Sequence, residues 1–378
     1  MSAVEVHGRC DPRFAVVRAA FEANLKSGAD VGASFAATVD GELVVDLWGG
    51  FKDAAGTQLW EEDTIVNVYS TTKTMCALTA LLCADRGLFA FTDKVSKLWP
   101  EFAANGKGDI TIGQLMSHSS GLSGFEQKIA PEELYDWDRV CALLAAQTPW
   151  WEPGTRSGYH AITQGYLVGE VVRRAAGKTM GTIFREEIAG PLGADFHIGL
   201  PAEADARAGE LIPPEKGLLA ATPGGDVAKR TLGNPALTAL EPRTTAWRRA
   251  EIPAAGGFGN ARSVAGVQAI LANGGMTAGK RFLSEAGVRK ALELQIDNTD
   301  LVLGIPVRFG LGYGKPSPVV PFPNADTVFW GGWGGSLIVV DFDARLTFSY
   351  VMNRMNSTTT GDARVAGMIM GMYAGLAA

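Results

Sequence analysis

The sequence predicts an α+β protein in which one antiparallel sheet is built from both ends of the chain around a mostly helical middle. Three features predict it. An N-terminal run, Val31–Val39 and Glu42–Trp48, alternates small and apolar residues across the turn dipeptide Asp40-Gly41, a strong hairpin signal. A C-terminal run, Ser336–Phe342 and Leu346–Met352, does the same across Asp343-Ala344-Arg345. Between them lies Met75–Ala84, apolar nearly all round and therefore a helix buried inside the protein. Strands at the ends with helices between imply a discontinuous α/β sub-domain, 1–65 with 254–378. A helical sub-domain spans 66–253, and a cleft separates the two.

Along the chain, Asp11–Lys26 shows helical periodicity through Phe14, Val17, Phe21 and Leu25. Thr64–Tyr69 reads as extended and leads into Ser70. Asp85, Arg86 and Gly87 close the central helix. Thr111–Met116 begins another helix, with Thr111 at its N-cap or first position and His118–Leu122 closing it, and Pro131–Gln147 reads as one amphipathic helix. The Trp150–Gly154 loop precedes helices predicted over Ile162–Ala176 and Thr182–Ile188. Leu200–Pro253 shows no firm period and is expected to be irregular, with short helices, and to shape a pocket. Ser263–Asn273 and Ala363–Leu376 read as helices, and Arg308–Tyr313 and Thr327–Phe329 as strands.

The chain has 378 residues, enough for a large core, with 47% hydrophobic and 20% charged residues and a formal charge of −6. No basic tract interleaves with aromatics, which argues against nucleic acid. No apolar stretch approaches the ~20 residues of a membrane span. Four scattered cysteines without a CxxC pair suit a reducing compartment, and the N-terminus lacks a secretory pattern, so a cytoplasmic location is expected. The four histidines have no metal-ligand spacing, and no nucleotide-binding glycine motif or G-x-S-x-G elbow occurs, so neither metal nor cofactor is expected.

The stretch Tyr69-Ser70-Thr71-Thr72-Lys73 places a hydroxyl and an amine one helical turn apart. A desolvated lysine can take a serine's proton; an ordinary capping serine beside a solvated lysine fits the same four residues. Tyr159, at the entry to the Ile162 helix, is either a packed tyrosine or a phenol whose proton a nearby cation loosens. Trp330-Gly331-Gly332-Trp333-Gly334-Gly335 is either a glycine-rich turn or a strand edge that admits close approach, with a backbone N–H to pair with that of Ser70 as an oxyanion hole.

Taken in order, these three features resemble the serine beta-lactamase and penicillin-binding-protein superfamily, and most of all the class C branch and its family VIII carboxylesterase relatives. Ser70-Thr71-Thr72-Lys73 matches the Ser-x-x-Lys box. Leu115–Leu122 matches the stretch that follows it, and Trp151-Glu152-Pro153-Gly154 with Tyr159 matches the Pro-Gly loop and catalytic tyrosine. Ala161 stands where the lactamases have asparagine, and Trp330-Gly331-Gly332 where they have Lys-Thr-Gly. Both departures favour an esterase over an efficient beta-lactamase.

The resemblance implies a beta-lactamase-like fold and a serine hydrolase of short-chain carboxylic esters. Ser70 is the nucleophile, Lys73 and Tyr159 are the joint base, and the Ser70 and Trp333 N–H groups form the oxyanion hole. Trp330, Gly331, Gly332, His160 and Trp151 are expected around the substrate. A small-molecule ester is the implied partner, and the oligomeric state is left open. Beta-lactamase, D-amino-acid peptidase and acyltransferase activity stay open on the same fold, as does a binding protein that has lost its chemistry. His118 is read as structural because no acid partner has suitable spacing.

Overall fold

The structure is a computed structural model that describes residues 5–378. The elements that position the site are β1 (Val6–Cys10), α1 (Ala15–Ser27), β2 (Gly32–Val39), β3 (Glu42–Gly50), α2 (Thr72–Asp85), α3 (Thr163–Ala176), α4 (Ala261–Ala272), β4 (Thr327–Gly331), β5 (Leu337–Asp341), β6 (Leu346–Met352) and α5 (Ala363–Ala377). The six strands form one antiparallel sheet in the order β1-β3-β2-β6-β5-β4. Every one of them lies in the two end segments expected to build the sheet.

The Asp40-Gly41 turn has φ of 51° and 81°, left-handed at both central positions. That is the geometry which matches the twist of the flanking strands, and it sets Val39 opposite Glu42. All seven residues of β6 are buried because helices cover both faces of the sheet. Side-chain alternation sorts the two faces. Phe348 and Tyr350 point toward α1 and α5, where Phe348 packs edge-on against Tyr373 and Tyr350 donates to Asp30. Thr347 and Ser34 point the other way, onto α4: Thr347 Oγ1 donates to Ala265 O, and Ser34 Oγ accepts the Ala261 N–H. Asn260 opens α4 with a reciprocal capping box to Ser263.

α2 packs against α4 on its far side from the sheet, and Thr72 through Cys83 are all buried. The apolar run made this helix central, and the structure places it in the core. Expected elements differ in three places. Pro131–Gln147 splits at Asp136, whose carboxylate accepts the Arg139 N–H and starts a new helix, Trp137–Ala146, after a short 3-10 turn. The extended Thr64–Tyr69 run forms only a two-residue strand, Val66–Asn67, against Phe258 and Gly259, with a single bridge from Ile65 to Ala208. The Arg308 strand is Pro306–Phe309, paired with Ile296–Thr299 outside the main sheet. Leu200–Pro253 is irregular with short helices, the longest Asp226–Leu232. Among the described residues no helix is long and apolar enough to cross a membrane.

Candidate active site

Ser70 lies in a single 3-10 turn, Tyr69–Thr71, that runs straight into α2. The turn is pinned from three sides. Val68 N–H donates to Gly257 O at 2.9 Å. Asn67 Oδ1 accepts the Tyr69 N–H at 3.2 Å, while its amide donates to Ala255 O at 3.0 Å. Ser336, just before β5, donates its hydroxyl to Val68 O at 3.0 Å, which leaves its oxygen to accept Thr71 Oγ1–H at 2.9 Å. Tyr69 itself has φ of 43°, an unfavourable value for a bulky residue, and it is held there by these contacts.

Lys73 is 3% exposed. Its Nζ lies 3.1 Å from Ser70 Oγ, 2.7 Å from Ala161 O and 2.9 Å from Ala254 O. Burial holds the amine well below the usual lysine range. The two carbonyls can only accept, so they take two N–H groups of the amine; its third position faces the Ser70 hydroxyl and carries a lone pair once the amine is deprotonated.

Tyr159 stands across from this pair. Lys73 Nζ lies 4.9 Å from its ring centroid. Its phenol oxygen accepts Trp330 Nε1–H at 3.2 Å. Burial pushes the phenol up, and the neighbouring Ser70 hydroxyl and Trp330 indole pull against that rise. Ser70, Tyr159 and Trp333 all border one cavity of about 490 Å³. The Ser70 and Trp333 N–H groups have no hydrogen-bond acceptor among the described residues. Gly332 O, on the same peptide unit as the Trp333 N–H, is held by Gly335 N–H at 3.1 Å, which fixes that unit's orientation.

Most of the cavity's remaining wall comes from the irregular segment: Leu218, Leu219, Leu232, Pro235 and Leu237 line it, with Ile162 opposite. Among the described residues its lining holds no Lys, Arg, Asp or Glu.

Several residues expected at the substrate are placed elsewhere. Trp330 stands behind Tyr159, against Phe309 and His118, and touches the cavity only through that phenol. Gly331 and Gly332 are packing positions. A Cβ at Gly332 would overlap the Val68 carbonyl oxygen, so glycine here lets the β4 edge abut the Ser70 turn. His160 is fully buried: its Nδ1–H donates to Gly158 O at 2.6 Å and its Nε2 accepts Ser120 Oγ–H at 2.7 Å. Burial pulls it down to about 3, so the ring is neutral. Trp151 covers Gly158 and donates to Arg156 O at 2.8 Å, outside the cavity. His118 is buried with φ of 61°, and its Nδ1 accepts the His160 N–H at 3.1 Å, a structural post beside Tyr159.

Asp300, which accepts the Tyr159 N–H at 3.0 Å, has a hand in the site and had no sequence signal; Ser336 ends the glycine-rich candidate stretch, but the role of its hydroxyl did not show in the sequence.

The sequence profile of the beta-lactamase family matches residues 17–367. The chain is 36% identical over 369 residues to the esterase/beta-lactamase LipL of Mycobacterium tuberculosis, covering 93% of this chain and 84% of that one. A crystal structure of a family VIII carboxylesterase superposes with a TM-score of 0.93 at 42% identity, over 98% of this chain and all of the other. A penicillin-binding-protein homologue from Caulobacter crescentus gives a TM-score of 0.93 at 38% identity, again over 98% and 100% of the two chains. The profile match over most of the chain, with relatives at 36% to 42% identity, shows that the chain belongs to the beta-lactamase family.

Proposed function

We propose that this protein is a carboxylesterase that cleaves uncharged esters, short-chain ones among them, through an acyl-enzyme on Ser70. The observation that carries the reading is the Lys73 amine, buried between two carbonyls with its remaining valence on the Ser70 hydroxyl. Lys73 with Tyr159 takes the Ser70 proton, and Ser70 Oγ attacks the ester carbonyl carbon. The Ser70 and Trp333 N–H groups receive the negative charge that develops on the carbonyl oxygen. Tyr159 returns the proton to the departing alkoxide. Water, deprotonated by the same pair, then releases the acid and restores Ser70. No metal or histidine takes part. The amine and phenol titrate as a pair, so the pH at which activity rises belongs to both.

The uncharged cavity supports an ester over a beta-lactam, whose carboxylate would enter a site without a fixed cation on its wall. The relatives named esterase and carboxylesterase point the same way. Ser70→Ala tests the reading: turnover of a p-nitrophenyl ester should fall by roughly a thousandfold or more. Near-normal turnover by that variant would refute it.

A further inference from the structure

Tyr159 follows a loop, not a helix, so something other than secondary structure must hold it. Asp300 does so. Its side chain is buried, with 1% of the residue exposed, and no cation lies within ion-pair distance of it among the described residues. Its Oδ1 accepts three backbone N–H groups: Tyr159 at 3.0 Å, Val302 at 2.9 Å and Leu303 at 2.8 Å. Its Oδ2 accepts Ser157 Oγ–H at 2.7 Å. That hydroxyl has one hydrogen, so Asn298 must present its amide nitrogen to Ser157 Oγ, and in that orientation its oxygen also accepts the Ser157 N–H at 3.2 Å. Leu301 N–H closes the stitch onto Ser157 O at 2.9 Å. An unpaired buried carboxylate is costly unless donors surround it. Four donors here do, and two of them belong to the loop that presents the phenol.

We propose that Asp300 is the positioning residue for Tyr159, clamping Ser157 and Tyr159 to the 300–303 turn so that the phenol faces Ser70. The inference rests on Tyr159 acting in proton transfer. The carboxylate therefore has two separable effects. Its oxygens fix the loop, and its negative charge opposes formation of a phenolate. The other titratable groups around the phenol are Lys73 at its ring face and His118, whose ring centroid lies 4.8 Å away and which burial keeps neutral; His160 stands behind His118 and is neutral too.

Three variants separate these effects, assayed with a p-nitrophenyl ester and checked for folding by circular dichroism. Asp300→Asn keeps an oxygen for the three N–H groups and removes the charge. It should keep kcat within about threefold and move the rising limb of the pH–rate profile to lower pH. Asp300→Ala should lower kcat by roughly a hundredfold with KM little changed. Added to Tyr159→Phe, Asp300→Ala should cost little more, since the group it positions is gone. A folded Asp300→Ala with ordinary kcat, an Asp300→Asn as impaired as Asp300→Ala, or an equal loss in the Tyr159→Phe background would each overturn the inference. If Asp300→Ala fails to fold, the Asp300→Asn profile decides: an unmoved limb overturns it. Ordinary activity in Tyr159→Phe alone would instead sink the role given to Tyr159.

Discussion

The indole N–H of Trp330 points at the phenol oxygen of Tyr159 from 3.2 Å, so in the proposed mechanism the tryptophan of the Trp-Gly-Gly stretch acts through a tyrosine rather than through substrate. A neutral donor aimed at that oxygen favours the phenolate. Trp330→Phe keeps most of the ring packing and removes the donor. We expect kcat to fall about tenfold and the rising limb of the pH–rate profile to move to higher pH. Steady-state kinetics between pH 5 and 10 checks this, and an unmoved profile would show that the contact is only structural.

Lys73 offers a sharper test of charge against proton transfer. Lys73→Arg fixes a cation at the site, because a guanidinium cannot give up its proton in the working range. Activity should drop roughly 10²- to 10⁴-fold. A variant that worked at high pH would argue that the cation, not the base, matters.

Lys73 also shapes stability, in a direction that can be worked out. Its folded pKa lies below its unfolded value, so the unfolded chain takes up the proton first as pH falls. The contribution is complete above the unfolded lysine pKa of about 10.4 and is lost as pH falls toward the folded value. His160 follows the same sign in the acid range. Its folded pKa is about 3 against about 6.5 unfolded, so stability should decline between those values, by an amount on the order of a few kcal/mol. His160→Gln should flatten that decline. Urea unfolding at a series of pH values measures it, and an unchanged slope in the variant would contradict the assignment.

Gly332→Ala should destabilise the protein by about 1–3 kcal/mol and slow turnover, because the added methyl meets Val68 O and Ser336 Oγ, the two groups that hold the Ser70 turn. Gly108→Ala, away from the cavity and with no atom closer than 3.9 Å to the added Cβ, is the matched control and should leave both unchanged. Thermal unfolding beside ester turnover separates the two.

Much of this arrangement was readable before the structure. Ser70 and Lys73 showed a one-turn spacing, and with Tyr159 they stood out through the order of motifs that resembles the family. The sheet halves stood out because Asp40-Gly41 and Asp343-Ala344-Arg345 are local turn chemistry, and α2 because its apolar run has no polar face. What could not be read was long range. Asp300 and Tyr159 are 141 residues apart, and Thr71 and Ser336 are 265 apart. Their partnership depends on where two loops end, and neither leaves a periodic trace. Trp330 and Trp333 looked alike in the sequence, but Trp330 lies in β4 and packs behind Tyr159, while Trp333 lies in the turn that follows and faces the cavity. Trp151 and His160 looked like pocket walls because they neighbour Tyr159 in the chain; Trp151 instead packs over Gly158 and His160 turns inward to Ser120, both away from the cavity. The split at Asp136 was hidden because an apolar period continues across a residue that also caps.

In the proposed mechanism a covalent ester forms on the Ser70 hydroxyl. Rapid quenching of the enzyme with a slowly deacylating p-nitrophenyl ester, followed by peptide mass spectrometry, measures it directly. One acyl group should appear on the peptide containing Ser70, and none on Ser70→Ala. Acyl transfer to another residue, or turnover at the ordinary rate by Ser70→Ala, would contradict the account.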